Sequence, residues 1–535
     1  MLPAASDGEW TAQARYESLR TDRDPFLRRA RDCAALTIPA VMPPEGFTGA
    51  SAVLPTPYQS LGARGVRTLA SKLLLSLFPG VPFFNYKMDD EELKKLGKKR
   101  GEVEKALSAR ERATTTELDI SVFRPAAFTA LTHLVVTGNV CLLVPPGDKE
   151  RTRAFRLDQY VVRRDAAGNL LEAVIVEALD INSLPEYARQ AVLTKRGASR
   201  NPGAIISTKP DPVMLYTHIL WDPNISRWSV NQEAEGVYLE ETESIYLEDE
   251  LPYLFLRLGT QPGESYGRSY VEEFLGDLDS LEALSEALVE GTAASARVVF
   301  LVRPGGTTSL KVVEKARTGA VVSGNQDDVG VLQVQKQADL NVAKAQAEEI
   351  GTRLSYAFLL HSSVQRSGER VTAEEIRFMA SELDSSLGGV YTLLAADFQL
   401  PVVRLLEKRM EKRLKVPRLP KGVTRPVIVA GLEAIGRGND QQNLAAFLKD
   451  VVTILTPEVA MQYLNPLEFM ARAAASYGID TEGLLPSEEE VQQKQQAMQL
   501  QALAQNLGPE VIKAGGSMAT EAVKNSLAPP AQAPM

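Results

Sequence analysis

Residues 268–297 read RSYVEEFLGDLDSLEALSEALVEGTAASAR, a long pattern in which apolar and acidic side chains take different sides of one predicted helix. The apolar residues, such as Val271, Leu278 and Leu288, recur at helical spacing. Carboxylates fill most of the remaining surface: Glu272, Glu273, Asp277, Asp279, Glu282, Glu286 and Glu290. At about 1.5 Å per residue this helix would be roughly 40 Å long. Taken alone, such a charge run is more typical of a solvated helix face than of a functional site.

A second helix is predicted at residues 340–361, and a β-rich insert separates it from the first. Ala343, Ile350 and Leu354 recur on one side of this second helix. The insert contains three short apolar runs, VVFLV at 298–302, GAVVSG at 319–324 and VGVLQV at 329–334. The sequence therefore predicts a helical pair with a small α+β appendage at its far end.

Upstream of this pair the chain is predicted to be helical first and β-rich afterwards. Helices are predicted at residues 8–38, 58–77, 89–112 and 123–136. The third of these is highly charged and is expected to be solvated. An Asp24-Pro25 step leaves open whether the first is one helix or two. From residue 140 to 258 the apolar period becomes two, with a Gly168-Asn169 hairpin turn, which predicts one antiparallel sheet of several strands.

Downstream of the pair lies a polar loop, followed by a long helix. The loop reads HSSVQRSGERV at residues 361–371. Thr372 and Glu375 then form a capping box that opens a helix reaching about residue 414, with bends expected at Gly388-Gly389 and at Pro401. A basic patch at 404–415 closes this helix. A Pro-rich linker at 417–426, a helical region and a Pro/Ala-rich tail complete the chain.

Composition limits the class of protein. The chain has 535 residues, 44% apolar and 24% charged, which fits a soluble globular protein with two to four folding units. No signal peptide or membrane span is predicted. Cys33 and Cys141 are too few for a disulfide framework and fit a reducing compartment. The net charge of −9 argues against a protein that coats DNA by neutralising its phosphates, although an acidic surface would suit DNA that must slide past.

The search for catalytic chemistry gives one weak match. His133, His218 and His361 are far apart, no residues have metal-ligand spacing, and no phosphate-binding loop is present, so we expect no metal, no cofactor and no ATPase activity. The run GESYG at 263–267 fits a serine nucleophile elbow, with Ser265 as nucleophile and His361 as the only downstream base. The simpler reading is a Gly-rich turn in which Ser265 helps to start the following helix. A serine hydrolase is therefore the last-ranked alternative.

Six motifs, in this order, make the chain similar to a known family. They are YQSLGARGVR at 58–67 with LASKL at 69–73, VTGNV at 136–140, GESYGRSY at 263–270, QRSGERVTAEEI at 365–376, GGVY at 388–391 and GLEAIGRG at 431–438. Together they resemble the portal, or head-to-tail connector, proteins of short-tailed, podovirus-type bacteriophages. No single motif is diagnostic of a chemistry, but their order spans nearly the whole chain.

The resemblance implies a fold class and a division of the chain. The expected fold is α+β and mainly helical, the phage portal fold assembled as a ring of about twelve subunits. The implied parts are a wing at 1–265, a first stem helix at 266–297, a clip at 298–339, a second stem helix at 340–361, a tunnel loop at 362–371, a long bent wing helix at 372–415, a helical crown at 427–506 and a flexible tail at 507–535.

The resemblance also implies a function without catalysis. The ring would sit at a capsid vertex of the virion, after synthesis in the host cytoplasm, and form the channel for packaging and ejection of double-stranded DNA. Implied partners are the terminase large subunit, the major capsid and scaffold proteins, a tail adaptor and internal head proteins, but no membrane. The alternative within this class is another virion component, such as a scaffold or tail adaptor.

Two groups of residues would then face the DNA. The seven carboxylates from Glu272 to Glu290 would present a weakly adhesive acidic channel wall. The tunnel loop would bring Gln365, Arg366, Ser367, Gly368, Glu369 and Arg370 close to the duplex. Its arginines would contact phosphates rather than base edges, since the channel must accept every sequence.

Overall fold

The protein is described by a computed structural model, which divides it into two compact units, Met1–Ala434 and Ile435–Met535. The described residues are 11–47, 53–79, 83–88, 100–147, 151–198, 212–295, 299–317, 320–332, 337–360, 383, 389–412, 424–428, 447–451, 453–454 and 470. Those of the second unit are helical. The predicted tunnel loop, the capping box at Thr372 and most of the predicted crown and tail lie outside the described residues.

Helices and antiparallel strands alternate in the first unit. The helices are α1 (Ala12–Ala35), α2 (Leu61–Leu77), α3 (Arg100–Ile120), α4 (Phe123–Thr137), α5 (Glu186–Ala198), α6 (Leu275–Ser295), α7 (Leu310–Lys315), α8 (Gln337–Ala357), α9 (Val390–Leu394) and α10 (Leu400–Lys412). The strands are β1 (Phe84–Met88), β2 (Asn139–Leu143), β3 (Arg153–Phe155), β4 (Tyr160–Arg164), β5 (Leu170–Leu179), β6 (Val213–Asp222), β7 (Arg227–Ala234), β8 (Val237–Tyr238), β9 (Ser244–Leu247), β10 (Tyr253–Arg257), β11 (Val299–Val302), β12 (Val329–Leu332) and β13 (Thr424–Ile428).

The first helices follow the sequence prediction, with two differences. Helix α1 runs unbroken through Pro25, so the alternative of a second helix starting there is wrong. Helix α3 is described only from Arg100, and it is not a fully solvated helix, because Arg110 and Glu111 are buried. These charges are satisfied in the interior: Glu111 accepts the amide of Tyr86, and Arg110 pairs with Glu411 at 2.8 Å.

The β-rich region forms two antiparallel sheets rather than the single sheet predicted. One has the order β4-β5-β6-β7, with β8 and β9 both pairing to β7. The other has the order β10-β2-β3, so the strand predicted at 253–258 leaves the main sheet. The predicted hairpin between β4 and β5 is confirmed, with Gly168 at φ +90° in its turn. Helix α5, which lies between β5 and β6, was not predicted from the sequence.

The predicted helical pair is present, with shifted ends. Helix α6 begins later than Arg268, which instead forms a β-bridge with Gly259, and a 3₁₀ turn at Val271–Phe274 precedes the helix. Helix α8 ends before residue 361, because Leu359 adopts a left-handed φ of +56°. The insert between the helices contains the antiparallel pair β11-β12 and the unpredicted helix α7. Residues 320–324 are not a strand, since no described strand pairs with them.

The region after residue 388 differs most from the predicted long helix. Gly389 has φ +86° and forms a turn, so the helix starts anew at Val390 instead of bending there. A π-helical turn, Ala395–Gln399, lies directly before Pro401, and this wider turn accommodates the missing amide of the proline. The Pro-rich linker predicted at 417–426 is wrong at its end, because residues 424–428 form strand β13, which pairs with β1.

The described residues of the basic patch predicted at 404–415 form ion pairs within the chain. On α10, Arg404 pairs with Asp249 at 2.7 Å and Lys408 pairs with Glu250 at 2.9 Å. Arg409 is buried, 3.7 Å from Glu117 of α3. These residues therefore fasten α10 to its neighbours within the chain.

An aromatic cluster joins α2, α4 and the π-helical turn in the main core. The ring of Phe78 lies 5.0 Å from both Phe123 and Phe398, in edge-on contacts with each. All three are fully buried. This core supports the helices against which the base of the α6-α8 pair is packed.

Candidate functional site

The base of the helical pair is where several of the sequence motifs meet. The VTGNV motif ends α4 and starts β2, and the GESYGRSY motif leads into α6. The amide of Asn139 donates to the Gly267 carbonyl at 2.7 Å, and the Gly267 N–H donates back to Asn139 Oδ1 at 2.7 Å. Gly138, at φ +73°, lies so close that a Cβ there would be 2.3 Å from the carbonyl carbon of Arg268. We call this contact the base junction.

Two further side chains of the second motif extend the base junction. Ser269 Oγ donates to the carbonyl of Val135 at 3.0 Å and accepts the N–H of Glu272 at 3.3 Å. It therefore provides the polar start of α6 that the sequence had assigned to Ser265. Tyr266 accepts the N–H of Val162 in β4 at 2.9 Å. These bonds fix the entry of α6 against both sheets.

The C-terminus of α8, the second helix of the pair, is held beside the start of α6. Phe358 is buried against Gly65 of the YQSLGARGVR motif, where a Cβ would lie 2.6 Å from the phenyl ring. Its ring also contacts Tyr270 and Phe274 at 5.9 Å. The Tyr270 hydroxyl donates to the Ala357 carbonyl at 2.8 Å. A small residue at position 65 is required because the aromatic ring fills the space.

A buried lysine completes this end. Lys72 Nζ donates to the carbonyl of Leu359 at 2.8 Å, beside the C-terminus of α8. A cation at this position stabilises the negative end of the helix dipole. This contact of Lys72 was not predicted from the sequence. The signal that could have indicated it is the motif LASKL, in which a lysine stands among apolar residues that face the core.

The YQSLGARGVR motif also holds α6 along its length. The N–H groups of Tyr58 and Gln59 donate to the two carboxylate oxygens of Glu282 at 2.7 and 3.1 Å. Gln59 Oε1 in turn accepts the N–H of Gly62 at 2.8 Å, near the start of α2. The motif is therefore a clamp between α2 and the acidic helix, a role that its composition does not reveal.

The seven predicted acidic residues divide into two groups. Three are partly buried and engaged within the chain: Glu272 pairs with Arg29, Asp277 pairs with Arg353, and Glu282 accepts the two N–H groups described above. The other four are exposed: Glu273, Asp279, Glu286 and Glu290. Of these, Asp279, Glu286 and Glu290 are seven and four residues apart and lie on one side of α6. We call these three the acidic stripe.

Several groups at the base have shifted pKa values because they are buried. Burial raises the pKa of Cys33 to about 12, although a hydrogen bond with Ser269 acts in the opposite direction. Burial, and then the neighbouring Glu273, raises the pKa of Tyr270 to about 12. Burial lowers the pKa of His133 to about 4. At neutral pH these three groups are therefore uncharged.

The remaining predicted site residues are placed as follows. All six tunnel-loop candidates, residues 365–370, lie outside the described residues, as does His361. The pairs of strands in the described part of the chain are all antiparallel, which is not the parallel sheet on which a nucleophile elbow at Ser265 would stand. Within the described ranges no group of metal-ligating side chains is found.

The helices of the described residues were compared in length and apolar content with what a membrane span requires. No single helix there has both the length and the apolar content of a membrane span. The pair Ala109–Ile120 and Phe123–Thr137, bent by 74°, passes by length and composition together.

Comparison with known proteins gives matches over nearly the whole chain. The family described as "Bacteriophage head to tail connecting protein" matches residues 9–485. The portal protein of Escherichia phage T7 is 40% identical over 539 residues, covering 98% of both chains. That of Enterobacteria phage T3 is 40% identical and covers 95% of this chain and 94% of its own. That of Enterobacteria phage SP6 is 30% identical and covers 91% and 92%.

The neck structures of gene transfer agent (GTA) particles are distant matches. The neck of an empty GTA particle computed with C6 symmetry matches with a TM-score of 0.35 and 13% identity, covering 79% of this chain and 90% of that one. A TM-score this low supports no conclusion about function. The match to the connector family and to its portal members confirms both the predicted resemblance and the prediction of a structural, non-enzymatic role. The chain therefore belongs to the bacteriophage head-to-tail connecting proteins, as a portal-type structural component of the virion and not an enzyme.

Proposed function

We propose that the chain forms a ring of about twelve subunits through which double-stranded DNA enters and leaves the capsid. The observation that carries this proposal is the acidic stripe, because Asp279, Glu286 and Glu290 are exposed on one side of α6 and form no ion pair with a described residue. Glu286 and Glu290 stand one helical turn apart, an arrangement that costs an isolated helix roughly 0.2–0.5 kcal/mol. Repulsion of a polyanion such as DNA explains why the helix retains Glu286 and Glu290 despite this cost.

The parts of the portal fold are assigned as follows. Helices α6 and α8 are the two stem helices, and the β11-β12 pair with α7 is the clip. The helices and sheets before residue 266 form the wing. The segment at 362–371 is the tunnel loop, the helix that includes α9 and α10 belongs to the wing, and the crown follows residue 427. The contacts at the base junction support this assignment, since they fix both stem helices on the wing at the same end.

The acidic stripe acts by repulsion at short range. From Asp279 to Glu290 the stripe spans about 16 Å of α6, roughly five base-pair steps of DNA. Carboxylates along this length repel the phosphates and prevent lasting contacts, so the duplex slides. Glu273 lies on the preceding 3₁₀ turn, whereas Glu272, Asp277 and Glu282 serve mainly to hold the helix in place.

The tunnel loop makes the opposite kind of contact. Its residues Gln365, Arg366, Ser367, Gly368, Glu369 and Arg370 contact the DNA backbone, with the two arginines on phosphates. These contacts are independent of base sequence, and they are strong only when several form together. A loop of this kind retains DNA that the acidic wall lets pass.

The energy for DNA movement comes from a partner, because the sequence contains no phosphate-binding loop of an ATPase. The terminase large subunit docks on the ring during packaging, and the tail adaptor replaces it afterwards. The major capsid, scaffold and internal head proteins contact other faces of the ring. The subunit is made in the host cytoplasm and resides at one vertex of the virion, and it binds no membrane.

The test begins with the purified protein. Light scattering and negative-stain images should show rings with a central hole and a mass of about 700 kDa, as expected for about twelve subunits of 58.3 kDa each. A protein that stays monomeric across a range of salt concentrations would contradict the proposed ring.

The acidic stripe is tested in the same rings. The variant Asp279→Asn/Glu286→Gln/Glu290→Gln should assemble normally but package DNA roughly two- to tenfold more slowly, because phosphates are no longer repelled. The control, Glu314→Gln/Asp339→Asn/Glu349→Gln, removes three exposed carboxylates of the insert and α8 and should package at the normal rate. Equal rates for both variants would reject the role of the stripe.

A further inference from the structure

Helix α1 crosses the larger sheet from one edge to the other. At its start, the N–H of Ala12 donates to Glu233 of β7 at 2.6 Å. Further along, Arg15 donates to Glu172 of β5 at 2.6 Å, and Arg23 donates to the carbonyl of Tyr160 in β4 at 3.2 Å. The second half of α1 therefore lies beyond β4, at the edge of the sheet opposite β8 and β9.

Beyond β4, this half of α1 lines a cleft of about 520 Å³. Four arginines line it: Arg20, Arg23, Arg28 and Arg31. Asp24 and Glu45 balance part of their charge, and the third carboxylate of the cleft, Asp158, is engaged by Arg156 at 2.9 Å. We call this the basic cleft.

Two of these arginines have unused capacity. Arg23 is only 3% exposed, and its Nε has no hydrogen-bond partner in the described part of the chain. Arg28 is exposed and forms no ion pair with any described residue. The Nε of Arg23 is itself buried, so of these two arginines it is the exposed Arg28 that an external acceptor can reach. Guanidinium groups are well suited to bind carboxylates.

The opposite edge of the sheet has the complementary composition. Glu240, Glu241, Glu243 and Glu248 are exposed there, and none forms an ion pair with a described residue. Between them lie three exposed apolar side chains, Tyr238, Ile245 and Leu247. Strand β9 is short and, among the described strands, pairs only with β7, so its outer edge has no described partner strand. Apolar residues surrounded by charged ones are typical of protein interfaces. We call residues 238–248 the acidic edge.

We propose that the basic cleft of one subunit receives the acidic edge of the next subunit in the ring. The inference rests on the proposed ring, in which every interface joins two different patches of the same chain. The two patches meet this need, because they have opposite charge and lie on opposite edges of one sheet. Four strand spacings of about 4.8 Å separate the edges by roughly 20 Å. A second copy of the chain is thus the partner that both patches fit.

Charge reversal tests this interface. In Arg20→Glu/Arg28→Glu both edges are acidic, and in Glu240→Arg/Glu241→Arg both edges are basic. Each variant alone should need on the order of tenfold more protein, or more, to form rings, because like charges meet at every interface. When the two variants are mixed, acidic edges again meet basic ones, and rings of alternating subunits should form. Native mass spectrometry distinguishes these rings by mass.

The controls separate this inference from the proposed function. Each variant is first shown by circular dichroism to melt as the wild type does, and Arg112→Glu/Lys311→Glu reverses two exposed charges elsewhere and should assemble normally. If the wild type forms rings but the charge-reversed variants assemble equally well, the interface is wrong and the ring stands. If the mixture fails to recover rings that the separate variants have lost, the pairing of the two edges is also rejected. A wild type that forms no rings rejects the proposed function itself.

Discussion

At the scale of single residues, the positions that matter most are those where backbone approaches backbone. Gly138 combines a left-handed φ of +73° with a neighbour too close for any side chain. The sequence predicts a helix at 123–136, and the helix does end at Thr137, with Gly138 as its left-handed cap. The sequence could not indicate the partner of this cap, because Gly267 and Arg268 are about 130 residues away and no local pattern records such a contact.

Replacing Gly138 should be severe. In Gly138→Ala the new methyl group would overlap the Arg268 backbone, so we expect a loss of about 3 kcal/mol or more in the free energy of unfolding. Urea denaturation followed by circular dichroism measures this loss. Gly147→Ala is the matched control, since nothing lies within 4 Å of a Cβ there and its change should be small. Equal effects of the two substitutions would contradict the close approach.

A buried carboxylate gives a prediction about pH. Burial, together with the neighbouring Glu411, raises the pKa of Glu407 to about 8, although Arg110 lies 3.6 Å from it. The folded state then holds a proton that the unfolded state has already lost, so this group lowers stability as pH rises from about 4.5 through 8. Glu407→Gln should remove this decline and stabilise the protein by about 1–2 kcal/mol at pH 9.

Thermal melts of both proteins between pH 5 and 9 provide the measurement for Glu407. The two melting curves should agree near pH 5 and separate as pH rises toward 9. Glu348→Gln, which changes an exposed side chain of α8, should follow the wild type throughout. A constant difference between Glu407→Gln and the wild type across this range would count against the raised pKa.

At the scale of elements, the ends of helices differed from the prediction more than the helices themselves. The periodicity of apolar residues was sufficient to find α2, α4, α6 and α8. Their ends depend on tertiary contacts: α6 starts late because Arg268 bonds to Gly259, and α8 stops where Leu359 becomes left-handed. Period-two patterns likewise found most strands, but they carry no information on which sheet each strand joins, so two sheets were taken for one.

The C-terminus of α8 depends on a contact supplied by another helix. In Lys72→Met the carbonyl of Leu359 loses its buried donor and the helix end loses a stabilising cation, so we expect about 1–3 kcal/mol of destabilisation. Hydrogen exchange at residues 354–360 should accelerate more than in the rest of the protein. Lys344→Met removes an exposed lysine from the same helix and should change neither quantity. Uniform acceleration throughout the protein would point to general loosening instead.

At the scale of the whole molecule, the order of motifs predicted more than any single pattern did. In the described part of the chain Ser265 lies among antiparallel strands, and composition alone could not separate an acidic channel wall from an ordinary solvated helix. The family followed from six motifs. Two of them, VTGNV and GESYGRSY, meet at the base junction, and YQSLGARGVR contacts α6 through Glu282. The division of the seven carboxylates into anchors and a free stripe could not be predicted, because it depends on the partners Arg29, Arg353 and Tyr58.

The anchoring of α6 and α8 at a shared end has a mechanical consequence. Both helices are clamped where they meet the sheets, and their opposite ends carry only the insert of β11, α7 and β12. Beyond Glu282, which the YQSLGARGVR motif holds, the pair is a cantilever about 20 Å long, in which a tilt of about one degree moves the tip by roughly 0.3 Å. In a ring, a small rearrangement at the clamped ends of these helices would change the diameter of the opening at their insert ends, with no bond broken in either helix.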